Sequence, residues 1–333
     1  MVKIFKNSIL EITGVLIIGI GFFLMSTTPW NAFSIKLPDS VFSLNTIFLS
    51  IIIEALPFVL VGVLIAGLIQ IFVTEEHIER WIPNNKFLAV IMSCVIGALF
   101  PACECGIVPI IRRLVSKGVP IYAAIGFMLT GPLINPIVIA STYMAFGNDA
   151  KIAGLRMGIG FGVALIVAFV ISLVVRGTQL KEEVRVIHIH THSHTKQPFT
   201  QKLWSMLTHS IDEFFDMGKY LIIGALLAAI VQTYVPARTL LETGDGVVSS
   251  LLVMMGLAFV LSLCSEADAF IGASFSSLFP THSILGFLIF GPMIDLKNTL
   301  MMMSVFRLKF VLVVLSLVAS AIFITMLLMQ NFI

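Results

Sequence analysis

Long apolar runs alternate with short polar connections along the chain, and the runs exceed what a soluble core uses. They cover 8–25, 46–73, 87–110, 119–146, 152–175, 212–235, 247–266, 281–306 and 309–332. A bilayer core takes about 20 apolar residues in helical form, so the pattern predicts an all-α polytopic membrane protein. Lys3 and Lys6 precede the first run, as in a signal peptide. That run is long for a signal and no small-x-small cleavage site follows, so it is read as a retained helix. The one extended polar stretch, 177–207, is the natural linker.

Composition sharpens this reading. The 333 residues are 58% hydrophobic and 11% charged, against about 25% charged in soluble domains. A net charge of +2 gives no sign of a nucleic-acid partner. Four cysteines in this length are not a disulfide framework. No phosphate-binding loop, dinucleotide fingerprint or Ser-His-Asp arrangement is evident, so neither ATP coupling within this chain nor an enzyme is expected.

Charge then discriminates between topologies, because cytoplasmic loops are enriched in Lys and Arg. Nine simple crossings from a cytoplasmic N-terminus leave nine basic residues on each side. The segment 87–110 is interrupted by Pro101-Ala102-Cys103-Glu104-Cys105-Gly106, and a proline inside a helix removes a hydrogen bond. If 87–110 and 247–266 each dip in and return, fourteen basic residues lie inside and four, Lys36, Lys151, Arg156 and Arg238, outside. Two re-entrant segments and seven full crossings are therefore expected. The N-terminus and the linker fall on the cytoplasmic side.

The two halves also match each other. An offset of 162 pairs Glu54 with Asp216, Gly62 with Gly224, Ala66 with Ala228, Gln70 with Gln232 and Glu104 with Glu266. After a two-residue gap, an offset of 160 pairs Pro120 with Pro280, Gly126 with Gly286, Gly131 with Gly291, Pro132 with Pro292 and Asn135 with Asp295. Three crossings plus one dip per copy would insert the copies upside down to each other. Inverted repeats with broken helices are a transporter architecture. The predicted fold is thus two inverted repeats, each with three spanning helices and one re-entrant broken segment, plus an extra N-terminal helix. The expected divisions are an N-terminal helix and loop at 1–45, a first repeat at 46–176, the linker at 177–207 and a second repeat at 208–333.

Candidate chemistry gathers at the breaks. Inverted symmetry would bring Cys103, Glu104 and Cys105 of the first dip towards Cys264, Glu266 and Asp268 of the second. Carboxylates within a membrane mark ion paths, proton relays or substrate sites. Thiolates prefer soft centres, which extends to trivalent arsenic. Cys103 and Cys105 would share one side if the tip were extended. Glu54 lies among Ile51, Ile52, Ile53, Ala55 and Leu56, surroundings that suit a proton carrier, with a structural role as the equal alternative. Asn135 and Asp295 follow the Gly-Pro breaks and could contact cargo or cap the resumed helices. Lys297 would pair with Asp295 or snorkel to the surface. His188, His190, His192 and His194 alternate in the linker, a pattern that suggests transition-metal binding there; no other cofactor is expected.

The Pro101–Gly106 motif, the Thr130-Gly131-Pro132 to Asn135-Pro136 stretch and the repeated Gly291-Pro292 resemble the bacterial predicted permeases of the YraQ/YcgR type. That family includes the ArsP-type organoarsenical efflux permeases. The likeness runs through roughly 46–332. It implies an integral plasma-membrane permease and, for the ArsP branch, export of trivalent organoarsenicals. It also implies room for a second membrane subunit, and a homo-oligomer is the other assembly expected. Together these readings predict a secondary permease, proton-coupled through Glu54, Glu104 and Glu266. Its cargo, a thiophilic metal or metalloid, would contact Cys103, Glu104, Cys105, Cys264, Glu266, Asp268, Asn135 and Asp295. Two alternatives are a divalent transition-metal permease using carboxylates and the histidine linker, and a membrane thiol oxidoreductase using Cys103 and Cys105. A carboxylate beside the thiols disfavours the thiolate that the oxidoreductase needs.

Overall fold

A computed structural model describes residues 39–332 apart from 74–77, 79–81, 84, 101–102, 176, 178, 182–198 and 235–245. The predicted N-terminal helix and the histidine tract lie outside the described residues. From Ser43 onward the chain is one compact unit. Its helices are α1 (Asp39–Phe72), α2 (Lys86–Leu99), α3 (Glu104–Ser116), α4 (Ile121–Thr130), α5 (Pro136–Ala145) and α6 (Ala150–Val174). They continue as α7 (Phe199–Tyr234), α8 (Val247–Leu261), α9 (Ser265–Ser274), α10 (Thr281–Met293), α11 (Leu296–Val305) and α12 (Leu308–Met329). Among the described residues, five stretches are long and apolar enough to cross a membrane: Ser40–Phe72, Ala150–Val174, Trp204–Tyr234, Thr281–Val305 and Leu308–Met329. Helix α1 starts inside the stretch read as N-terminal loop, and α7 inside the linker.

Polar residues set where the short helices begin. Asn85 accepts a hydrogen bond from the Phe87 amide at 3.1 Å, opening α2. Asn135 accepts from Ile137 at 3.0 Å, with Pro136 at the first helical position of α5. Pro fits there because its missing N–H would have had no partner. Asp149 opens α6 by accepting from Lys151 at 2.7 Å.

Close glycine approaches give the directions of the helices. Gly126 on α4 abuts Ser93 and Cys94, while Gly97 abuts Phe127 and Thr130, so α2 and α4 run parallel. Helix α3 leads into α4 through a tight turn at 117–120, and Ile107 near its start meets Gly131 at the far end of α4. Thus α3 is antiparallel to both, and the chain reverses between Leu99 and Glu104. The second half does the same. Ser250 bonds Ser283 at 2.9 Å and Ala258 faces Gly291, so α8 and α10 run parallel. Asp268 faces Gly291 and Gly272 faces Leu288, so α9 runs back between them. The reversal passes through Ser262, which holds a left-handed φ of 46°, a backbone state that non-glycine residues rarely adopt.

Packing recurs in pairs. Helix α4 packs on α2, α3 and α6 as α10 packs on α8, α9 and α12. Across the halves, α9 packs on α5 as α3 packs on α11, and α6 packs on α12. Two pairs of helices at matching places run in opposite directions, α1 with α7 and α6 with α12. Gly67 of α1 meets Met206 and Ser210 of α7, whereas Ile51 clusters with Ala225 and Ala228, so α1 and α7 are antiparallel. Lys181 donates to Val305 and Arg307 to Gln179, both at 3.0 Å, which sets the end of α6 beside the start of α12. Lys86 Nζ donates to the Ser172 carbonyl at 3.3 Å, so the starts of α2, α4 and α12 share one end with the finish of α6.

Three expectations need correction here. The second-half break falls at Ile294–Asp295, not at Gly291-Pro292, which stays inside α10. Proline fixes a helical φ while losing one bond, and Ile294 still bonds Phe290 at 2.9 Å. The two-residue gap between the halves is two gaps of one. The residues immediately before α3 and α9 are Cys103 and Cys264, an offset of 161, so Glu104 corresponds to Ser265 rather than Glu266. The tip is also not extended through Cys105, which lies in the first turn of α3 and is buried, while Cys103 is half-buried.

Candidate functional site

The amino-terminal ends of α3 and α9 meet. Ser265 Oγ, the first residue of α9, donates to Glu104 Oε1, the first residue of α3, at 2.9 Å. Both residues are almost wholly buried. The residues just before them, Cys103 and Cys264, are both half-buried and stand at the N-cap positions of α3 and α9, with free thiols. Gly62 and Gly106 make the approach of α1 possible: a Cβ at Gly62 would overlap the Gly106 carbonyl oxygen, and one at Gly106 would lie 2.8 Å from the Phe58 carbonyl oxygen.

Around this contact lies a buried chamber of charged groups. Glu104, Asp268, Asp295, Lys297 and Arg156 are each at most 4% exposed. Lys297 Nζ stands 3.6 Å from Asp295 Oδ2 and 4.0 Å from Glu104 Oε2, and donates to the Ser262 carbonyl at 3.2 Å. It therefore holds the strained tip of the second reversal. Arg156 donates to Thr142 Oγ1 at 2.6 Å and to the Ser265 carbonyl at 3.1 Å, linking α6 to α5 and α9. Asp295 Oδ1 accepts from the Asn298 amide at 2.5 Å, capping α11. Glu104 Oε2, both oxygens of Asp268, Asp295 Oδ2 and Asn298 Oδ1 are buried with no hydrogen-bond partner. Unsatisfied buried oxygens are costly, so these five mark where a proton, water or cargo group would be received.

The expected site residues divide accordingly. Glu104, Asp268 and Asp295 enter the chamber, and Cys103 and Cys264 stand at its two tips. Glu266 is half-buried and near Arg156. Cys105 is buried in helix α3. Asn135 caps α5 and Asp295 caps α11, so capping, one of two roles open for them, is realised in both. Glu54 is exposed, contrary to its apolar neighbours in sequence, and reaches the Cys264 thiol. Adjacent residues point different ways around a helix: Ile51 is buried, whereas Ile53 is 71% exposed.

Arg156, an outer loop charge by the positive-inside count, is interior, whereas Lys297 takes the first of its two expected roles by pairing with Asp295. The Arg112-Arg113 pair, loop charges by the same count, is buried against Glu213 on α7, at 3.5 Å and 2.6 Å. An arginine pair ending an apolar segment was the available signal. Among the described residues, no group of three or more His, Cys, Asp or Glu side chains is placed to hold a metal ion.

Membrane-length apolar helices around a buried cluster of charged groups mark a polytopic membrane protein. A family profile described as "Predicted permease" (ArsP_1) matches residues 40–331, and the chain belongs to this permease family. It is 54% identical over 273 residues to YcgR of Bacillus subtilis, covering 82% of this chain and 92% of YcgR. A Streptococcus mutans protein named as a two-component membrane permease complex subunit is 45% identical over 276 residues, covering 83% of this chain and 91% of that one. YraQ of Escherichia coli is 22% identical over 117 residues, 35% of this chain and 33% of YraQ. No solved structure matches the chain significantly.

Proposed function

We propose that the chain is a secondary permease built of two inverted repeats, exporting a thiophilic metalloid such as a trivalent organoarsenical across the plasma membrane. The observation that carries this reading is the head-to-head meeting of α3 and α9, with one cysteine before each helix and buried carboxyls behind. A monosubstituted trivalent arsenic has two exchangeable bonds, so one thiol from each tip suffices to hold it. Thiols also suit such soft centres better than hard cations. Opposite directions of α1 and α7, and of α6 and α12, support the inverted relation. The reversals between α2 and α3 and between α8 and α9 support re-entrant dips. Lys86, Lys117, Lys181, Arg307 and Lys309 would then face the cytoplasm. The name of the Streptococcus relative supports a second membrane subunit as partner.

A divalent-metal permease is less well supported, since the described chamber offers no three-ligand cation cage. The test is accumulation of phenylarsine oxide in everted vesicles. Cys103→Ser and Cys264→Ser should each abolish it, whereas Cys94→Ser, buried against Gly126, should leave it intact. Undiminished accumulation in both tip variants removes the site.

A further inference from the structure

The chamber holds two fixed positive charges, Arg156 and Lys297, against three buried carboxyls, Glu104, Asp268 and Asp295. Arginine stays protonated in proteins, and Lys297 is fixed as an ammonium by two carboxylates and a carbonyl. Three ionised acids would leave one uncompensated negative charge in a low-dielectric interior, which is strongly unfavourable. One acid must therefore carry a proton.

The hydrogen bonds say which. Glu104 receives the Ser265 hydroxyl on one oxygen and faces Lys297 with the other. Asp295 receives the Asn298 amide on one oxygen and faces Lys297 with the other. Asp268 has neither: both its oxygens are buried and unpartnered, and Gly291 of α10 backs Oδ2 so closely that a Cβ there would lie 2.7 Å away. The charged groups around it are Arg156 from α6, Glu104 from α3, Asp295 and Lys297 from the α10–α11 corner and Glu266 from its own helix. Helix α5 presents Thr142, already bonded to Arg156. Glu266 adds negative charge and so strengthens the requirement.

We propose that Asp268 is the proton-carrying residue of the transport cycle and that Arg156 reads its state. With Asp268 protonated, Arg156 is free to hold Thr142 and the Ser265 carbonyl, and Ser265 holds Glu104, so α3, α9 and α6 are locked at the tips. When the carboxyl releases its proton to chamber water, the carboxylate competes for the guanidinium. Arg156 then leaves the Ser265 carbonyl, and the contact between the two tips loosens. This inference rests on the permease reading only for its role in transport; the proton site stands on the geometry alone.

The two are separated by experiment. Infrared pH-difference spectra of the full chain in lipid vesicles should show, at neutral pH, a protonated-carboxyl stretch sensitive to deuterium exchange. Neutralising any one of the three acids would balance the two cations, so charge-conserving variants make the assignment: the band should change frequency in Asp268→Glu and keep it in Glu104→Asp and Asp295→Glu. In everted vesicles supplied with phenylarsine oxide, Asp268→Asn should reduce gradient-driven accumulation to the level seen without a pH gradient. A band unmoved in Asp268→Glu, or moved in Glu104→Asp, overturns the assignment. A band that moves in Asp268→Glu together with no arsenical uptake by the wild type leaves the proton site standing and removes the cargo.

Discussion

The two tips share a frame but not a charge pattern. Each half reverses its chain, places a cysteine before a short helix and passes a glycine close to a neighbouring backbone. In the first half, Asn135 and Ile137 follow the break; in the second, Asp295 and Lys297 occupy the matching places. Ile137 is 61% exposed, whereas Lys297 is 4% exposed and ties together the chamber. The two halves match in backbone frame and differ in the polar groups they contribute. A single chamber between two copies needs its cation only once, so asymmetry is the economical outcome.

The largest effect should come from removing that cation. Lys297→Met leaves Glu104 and Asp295 facing each other without a counter-charge, and loss of one partner of a buried pair costs about 3–5 kcal/mol. Ile137→Met, its first-half equivalent, should be nearly silent in the same thermal unfolding measurement. Equal destabilisation of both variants would show that the halves are not divided in this way.

Backbone approach offers a finer test of the same contrast. A Cβ at Gly62 would overlap the Gly106 carbonyl oxygen, but one at Gly224 would meet Lys297 Cα at 3.2 Å. Gly62→Ala must push α1 off α3, and overpacking of this kind costs about 1–3 kcal/mol. Gly224→Ala needs a shift of only a few tenths of an ångström. It also gains helix propensity worth up to about 1 kcal/mol, so it should be close to neutral. Melting of both variants in detergent checks the order.

Much of the frame was legible in the sequence because glycine, proline and capping residues act locally. Asn135 and Asp295 sit where a resumed helix needs an acceptor, and the Pro101 break forecast a chain reversal. The chamber was less legible because its bonds span long separations. Ser265 reaches Glu104 from 161 residues away, and Arg156 reaches Ser265 from 109. In a one-dimensional reading, Arg156 near the start of a helix looks like a loop charge, since basic residues there usually snorkel to the surface. Only the convergence of α5, α6 and α9 encloses it. Glu54 differs in the opposite sense: its isoleucine neighbours are spread around the helix and leave its side chain exposed.

The most direct test of the inverted, re-entrant architecture is labelling with a membrane-impermeant thiol reagent in a background with the four native cysteines replaced by alanine. Lys86→Cys, Lys117→Cys and Lys309→Cys should react from one face of the membrane, and Asn148→Cys from the other. Finding Lys86→Cys and Lys117→Cys on opposite faces would mean that α2 and α3 cross rather than return, and the shared chamber between the two tips would not exist.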